Sequence, residues 1–197
     1  MKYLKTIVAI LVISLINLTI ISCKDAKKEN TQDSIVHSEM NHNKMDKSNN
    51  MMDENSQNSG VQKVLADYMI LKDALVETDK NKAAKAGDKL NNTLSKFEIN
   101  GFTVEQQKEL KDIITDAKEH AEHIGRSEID HQREHFKTLS KDIMDMVAIT
   151  GTKNTLYQQF CPMYDGGSAW LSLNKEIKNP YYGSKMLKCG KVQKEIN

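Results

Sequence analysis

Residues 103–125, TVEQQKELKDIITDAKEHAEHIG, contain the pattern that decides the fold. Thr103 and Gln106 form a capping-box pattern at the start of this stretch, and Gly125 is typical of a helix end. Between them the apolar side chains recur at the spacing of one helix face. These are Leu110, Ile113, Ile114, Ala117, Ala121 and Ile124. The stretch therefore predicts an amphipathic helix with one buried face.

Three further stripes with the same spacing predict three more helices. Two precede residue 103 and one follows residue 125, with Ser127 and Asp130 near its start and Gly151 near its end. The stripes are Val61, Val64, Leu65, Tyr68, Leu71 and Leu75; Ala83, Ala86, Leu90, Leu94 and Phe97; and Ile129, Phe136, Leu139, Ile143, Met146 and Val147. Since short connections favour antiparallel neighbours, we expect an all-α fold, an up-down four-helix bundle.

The pattern changes after Gly151, where aromatic residues alternate with turn residues such as Gly166-Gly167 and Asn179-Pro180. The turn residues interrupt any long helix, and the aromatic side chains need a surface to cover. The aromatic residues are Tyr157, Phe160, Tyr164, Trp170, Tyr181 and Tyr182. We expect an irregular C-terminal tail, with aromatic, Cys and Met residues, packed on one end of the bundle.

The first 22 residues have the features of a secretory signal peptide: Lys2 and Lys5, then an apolar run over 6–21. This run is shorter than the roughly 20 apolar residues of a usual membrane span. The segment before Cys23, Ile20-Ile21-Ser22, resembles a bacterial lipobox. We therefore expect a lipoprotein held at a membrane of the bacterial cell envelope by lipids on Cys23, the alternative being an uncleaved anchor.

Residues 23–59 are rich in Asn, Lys, Asp, Glu and Ser and predict a disordered tether before a helical domain at residues 60–197. The tether contains His37, Met40, His42 and Met45, which we expect to capture metal ions in transit. Compositional drift in a polar segment is the alternative. The whole chain has 28 basic and 27 acidic side chains, a balance that gives no argument for nucleic acid as a partner.

The tail contains two pairs of sulfur residues, Cys161 with Met163 and Met186 with Cys189. Mixed Cys and Met ligands suit Cu(I) and other soft heavy-metal ions, and export alone favours a disulfide between the cysteines. Such a disulfide would contribute roughly 3.5 kcal/mol in the chain-entropy description. No nucleophile signature, P-loop or dinucleotide fingerprint is present, so we expect a protein that is not an enzyme.

Four histidines lie on either side of the turn between the third and fourth predicted helices. His131 and His135 are four residues apart, and His120 and His123 three, so each pair projects from one helix face. Antiparallel packing would bring both pairs to the same end of the bundle. Imidazole is a good copper and zinc ligand, although a single histidine on a helix is more often only solvated.

Four segments together are typical of a known family: Gln159-Phe160-Cys161-Pro162-Met163, residues 176–183 (EIKNPYYG), Met186-Leu187-Lys188-Cys189-Gly190 and residues 131–136 (HQREHF). They resemble the DUF3347 family of bacterial envelope proteins. The resemblance extends from about Val61 to Val192. It implies heavy-metal or copper binding, in resistance or in handoff to the periplasmic adaptors of efflux systems. The implied ligands are Cys161, Met163, Met186 and Cys189, with His131 and His135.

We thus expect a periplasmic or membrane-held envelope protein that binds Cu(I), or a related soft ion, for resistance, buffering or handoff to efflux components. The alternative is a disulfide-stapled helical module that docks on an efflux adaptor or another envelope partner without metal. The sequence leaves both open.

Overall fold

Four helices form most of the structure, a computed structural model that describes the backbone of residues 49–197 and the side chains of residues 59–197. They are α1 (Asn49–Val76), α2 (Lys80–Leu94), α3 (Val104–Arg126) and α4 (Ile129–Thr150). α1 begins inside the segment predicted as a tether. The predicted signal peptide, Cys23 and the accessory ligands His37, Met40, His42 and Met45 lie outside the described residues. Of the described helices, none is long and apolar enough to cross a membrane.

Polar caps and short connections set the limits of the helices. Thr103 Oγ1 accepts a hydrogen bond from the Gln106 N–H, and the Gln106 side chain accepts one from the Thr103 N–H, which confirms the predicted capping box. α3 continues through Gly125 to Arg126 rather than ending at the glycine. Two residues then lead into α4, so the ends of α3 and α4 are held close together.

Each helix packs against the next, and α1 also packs against α4, so the bundle is closed. Tyr68 of α1 contacts Ser140 of α4. Leu75, close to the C-terminal end of α1, contacts Arg133 near the beginning of α4. The two helices therefore run in opposite directions. The predicted four-helix architecture is confirmed, with the predicted apolar stripes supplying most of the buried core.

The all-α prediction is incomplete, because the C-terminal segment forms a three-stranded antiparallel sheet. Its strands are β1 (Leu156–Cys161), β2 (Ser168–Ser172) and β3 (Lys191–Ile196), in the order β2-β1-β3. Gln159 lies opposite Trp170 in β2, and Leu156 lies opposite Ile196 in β3. Asp165, Gly166 and Gly167 adopt positive φ and turn the chain between β1 and β2. Tyr157, Phe160 and Trp170 are therefore strand residues, which their β propensity favours, whereas Tyr164, Tyr181 and Tyr182 lie in the connecting segments.

The C-terminal segment lies along the side of the bundle formed by α1 and α4, which corrects the expected packing on one end. The Leu171 N–H in β2 donates to Tyr68 Oη on α1 (3.1 Å). The Tyr181 ring lies 5.8 Å from that of Phe136 on α4, and Arg133 Nε donates to the Pro180 carbonyl (3.1 Å). These contacts fix the sheet and its loops on the bundle and so position the two cysteines.

Candidate metal centre

The two cysteines of the C-terminal segment meet although 27 residues separate them along the chain. Cys161 ends β1 and is buried, whereas Cys189 precedes β3 and is half-buried. Their Sγ atoms are 3.0 Å apart, and both thiols are free. This separation lies between that of a disulfide, about 2.05 Å, and about 3.8 Å for two thiolates on one tetrahedral ion. A small movement in either direction gives one state or the other.

Hydrogen-bond donors surround the Cys161 sulfur. Burial raises the pKa of this thiol, but hydrogen bonds from Cys189 and from the Met163 N–H outweigh that effect. The Asn179 side chain and the Tyr164 N–H add to them, so the pKa of Cys161 lies below its ordinary value. The pKa of Cys189 is raised, first by its hydrogen bond to Cys161. Cys161 is therefore the first of the pair to become the thiolate, the form that binds metals.

Asn179 organises the loop that brings Cys189 to Cys161. The residue is fully buried, and its side-chain N–H donates to the Cys189 carbonyl (2.8 Å). Its side-chain oxygen accepts from the N–H groups of Tyr181 (2.8 Å) and Tyr182 (3.2 Å). The Asn179 N–H in turn donates to the Leu187 carbonyl (2.9 Å). One polar side chain therefore fixes both ends of the loop.

Met163 and Met186 lie beside the cysteines along the chain, and their backbones support the thiols. The Met163 N–H helps to lower the pKa of the Cys161 thiol, and the Met186 carbonyl accepts from the Cys189 N–H (2.9 Å). Both side chains are exposed, Met163 by 61% and Met186 by 38%. The predicted role of the two thioethers as ligands stays a prediction.

The histidines form a second group where α3 ends and α4 begins. His120 and His123 lie in the last two turns of α3, and His131 and His135 in the first two turns of α4. One ligand nitrogen from each of His123, His131 and His135 lies within 4.8 Å of the other two. The prediction that both pairs come to one end of the bundle is confirmed.

The ring nitrogens of this group have defined partners. His131 Nε2 faces His135 Nε2 at 3.1 Å. His131 Nδ1 contacts Glu134 Oε2 (2.7 Å), and His135 Nδ1 contacts His120 Nδ1 (2.9 Å). The His123 ring stacks on His135, with the ring centres 4.5 Å apart. His123 and His131 are exposed, so solvent ions reach the group.

Neutral imidazoles predominate at the centre of this group. Burial is the largest cause lowering the pKa of His135, to about 4, and the neighbouring histidines His123, His131 and His120 lower it further. Burial also lowers the pKa of His120. A neutral imidazole has a lone pair available to a metal ion.

The thiols and the histidines form separate groups, although the sequence suggested that His131 and His135 would join the cysteines. Within residues 59–197, the histidine group contains no thiol, and no His, Asp or Glu completes a three-ligand group with the two cysteines. The structure therefore brings Cys161 together with Cys189, and His131 and His135 together with His123.

The sequence analysis missed three residues that hold these groups. Asn179 was noted only as part of a turn, although asparagine before proline often bonds to its own backbone two residues on. Glu134, three residues after His131, had the spacing of a side-chain pair on one helix face. Buried Arg133, which donates to carbonyls of α1 and of the C-terminal segment, had no preceding pattern in the sequence.

Comparison with protein families matches residues 64–155 to the model of DUF3347, described as a protein of unknown function. This segment contains the histidine group and most of the bundle, and it ends before β1. The resemblance noted for residues 156–192 therefore stays a prediction. A search of curated proteins and a search of solved structures each gave no match.

Proposed function

The chain belongs to the DUF3347 family, and we propose that it binds Cu(I), or a related soft heavy-metal ion, through Cys161 and Cys189. The observation that supports this proposal is the pair of free Sγ atoms 3.0 Å apart, one of them surrounded by N–H donors. Thiolates are the ligands that soft ions prefer. The chemistry of the pair, rather than any likeness, supports the choice of ion.

The hydrogen bonds at Cys161 are suited to a bound thiolate. A buried anion is costly unless donors stabilise it, and hydrogen bonds to a charged acceptor are about twice as strong as neutral ones. Here the N–H groups of Met163 and Tyr164 and the Asn179 side chain supply them. A ligand held in this way needs little reorganisation on binding. Because protons compete with the ion for sulfur, binding should weaken as the pH falls.

The proposal places the protein in the bacterial cell envelope, held by lipids on Cys23. In it, His37, Met40, His42 and Met45 collect ions and pass them to the thiol pair, with Met163 and Met186 as accessory ligands. The bound ion is then buffered or handed to the periplasmic adaptor of an efflux system. These steps rest on the sequence patterns and on the resemblance.

Anaerobic competition between the reduced chain and a chromophoric Cu(I) chelator tests the proposal. All variants carry Cys23→Ser, which leaves Cys161 and Cys189 as the only cysteines of the three in the chain. We expect one equivalent of Cu(I) to bind, with an affinity that falls at least about 100-fold in Cys161→Ser and in Cys189→Ser. His131→Gln is the control, and it should leave this affinity unchanged.

Equal affinity in the parent chain and both serine variants would refute the thiol site. A fall in affinity between about pH 7 and pH 5 in the parent, absent from the double serine variant, would support thiolate ligation.

The alternative function is that of a disulfide-stapled module that docks on an envelope partner without metal. The short Sγ–Sγ separation favours this candidate as well, because the two sulfurs need to approach by only about 1 Å. Alkylation of the protein in the isolated envelope fraction, before any reductant is added, distinguishes metal binding from the staple. Cysteines that are alkylated without reductant support metal binding. Cysteines that are alkylated only after reduction support the staple.

A further inference from the structure

The histidine group is a candidate site in its own right, independent of the thiol pair. Four of the six histidines of the chain lie at the turn between α3 and α4, three of them with ligand nitrogens within 4.8 Å of one another. Two exposed rings and one half-buried ring leave the group open to solvent. The proposed Cu(I) function does not use these residues.

The orientation of two rings is that of metal ligands. His131 Nδ1 lies 2.7 Å from a Glu134 carboxylate oxygen, and His135 Nδ1 lies 2.9 Å from His120 Nδ1. In the tautomer in which each Nδ1–H donates to its partner, both Nε2 atoms present lone pairs, which face each other at 3.1 Å and attract a cation. In the other tautomer of His135, its Nε2–H donates to His131 Nε2, so an ion binds there only after His135 changes tautomer.

The distances fit a tetrahedral ion of borderline softness. Two imidazole nitrogens, each 2.0–2.1 Å from zinc, lie about 3.4 Å apart, so the Nε2 atoms of His131 and His135 need to separate by only about 0.3 Å. Histidine ligands usually donate their other N–H to a carboxylate or another acceptor, which fixes the ring. Glu134 and His120 stand in those two positions. His123 is stacked on His135, and its exposed ring supplies a third nitrogen when it turns out of the stack.

We propose that His123, His131 and His135 form a second metal site, for a divalent ion such as Zn²⁺ or Cu²⁺, with Glu134 and His120 as positioning residues. Three protein ligands leave a fourth coordination position open to water or to a donor from a partner. The all-nitrogen ligand set selects divalent ions, whereas the thiol pair selects Cu(I). The two sites thus differ in the ions they take.

Titration with Zn²⁺ against a chromophoric chelator tests the site in the chain with all three cysteines replaced by serine, so that loss of the thiol site cannot affect the result. We expect one equivalent of Zn²⁺ to bind, and the affinity to fall at least about 100-fold in His131→Gln and in His123→Gln. Both side chains are exposed, so both variants should fold, which circular dichroism checks. The matched control is the double variant His37→Gln/His42→Gln, which should keep the affinity.

Glu134→Gln separates a positioning role from a general effect of charge. We expect a 10–100-fold weaker affinity, typical for loss of such a partner. Glu109→Gln is its matched control. Glu109 is an exposed residue of α3 that lies eleven positions, or about 16 Å along the helix, before His120. Glu109→Gln should leave the affinity within twofold.

Spectroscopy identifies the ligands and distinguishes the ions. Co²⁺ in place of Zn²⁺ should give the intense visible absorption of a tetrahedral site, and Cu²⁺ should show nitrogen hyperfine splitting in its electron paramagnetic resonance spectrum. Both signals should weaken in His131→Gln, measured in a chain that also carries His37→Gln/His42→Gln so that these two histidines add no nitrogen ligands. Affinity unchanged by His131→Gln, or lowered equally by His37→Gln/His42→Gln, would overturn the proposal.

Discussion

Replacing Asn179 with Ala should destabilise the fold and disrupt the thiol pair together, because this side chain holds both ends of the loop around Cys189. The substitution leaves the Cys189 carbonyl and the Tyr181 and Tyr182 N–H groups without their partner. An unsatisfied buried polar group costs about 1–3 kcal/mol, and relaxation of the loop offsets part of the sum. We expect the free energy of unfolding to fall by about 2–4 kcal/mol.

Thermal unfolding followed by circular dichroism measures this loss in the reduced, metal-free chain. For a domain of this size, the expected loss corresponds to a fall in Tm of roughly 5–15 °C. The control is Asn92→Ala, an exposed helix residue whose side chain donates only to the Asp88 carbonyl, and it should change stability by less than about 0.5 kcal/mol.

The same variant should raise the pKa of Cys161, since Asn179 is one of the donors that lower it. The rate of alkylation of the two thiols as a function of pH measures that change. A loss of stability below about 1 kcal/mol, or an unchanged pH profile of alkylation, would refute the role given to Asn179.

Two other substitutions test the packing between the bundle and the C-terminal segment, and a third tests a buried carboxyl group within the bundle. Tyr68→Phe removes the hydroxyl that contacts Ser140 (2.8 Å) and accepts from the Leu171 N–H (3.1 Å), and urea unfolding should show a loss of about 2–3 kcal/mol. Gly183→Ala should lower the free energy of unfolding by at least about 2 kcal/mol, because φ is +54° and the new Cβ would clash with Thr78 Oγ1. Gly166→Ala is its control and should cost only about 1 kcal/mol, because φ is +70° there but the new Cβ meets open space. Burial raises the pKa of Asp142 to about 6, so the folded state favours the protonated carboxyl. The stability that this adds is complete below about pH 3.8 and is lost as the pH rises through 6. Because solvent screens the group, we expect the free energy of unfolding of the parent, compared with that of Asp142→Asn, to fall by only about 1–2 kcal/mol between pH 4 and pH 7. Parallel pH profiles of stability in the two chains would contradict this.

The helices were predictable because their apolar positions and caps follow local rules. The stripe from Leu110 to Ile124 and the box formed by Thr103 and Gln106 depend only on residues three or four apart. The meeting of the histidine pairs followed from the same spacing, together with the short connection between α3 and α4. None of these features needs knowledge of distant contacts.

The sheet was not predictable by these rules, because its strands are short and β3 has little apolar character. In β3, Lys191, Lys194 and Glu195 leave no alternation that marks a strand, and only pairing with β1 defines it. The pairing of β1 with β3 joins residues about 35 positions apart in the chain, and nothing in the local sequence specifies such partners.

The separation of the thiols from the histidines also depended on tertiary contacts. The sequence placed the implied ligands of the folded domain, from His131 to Cys189, in the second half of the chain and suggested a single site there. The sheet lies on the α1–α4 face through Tyr68, Phe136 and Arg133, and it holds the thiols there. The histidine rings instead turn toward one another at the junction of α3 with α4.

X-ray absorption at the copper edge of the Cu(I)-loaded chain, with Cys23→Ser, tests the central claim most directly. The account predicts a first shell that contains sulfur in the parent chain and has two fewer sulfur atoms in the variant Cys161→Ser/Cys189→Ser. A shell of nitrogen and oxygen alone in the parent, or an equal number of sulfur atoms in the double variant, would contradict it.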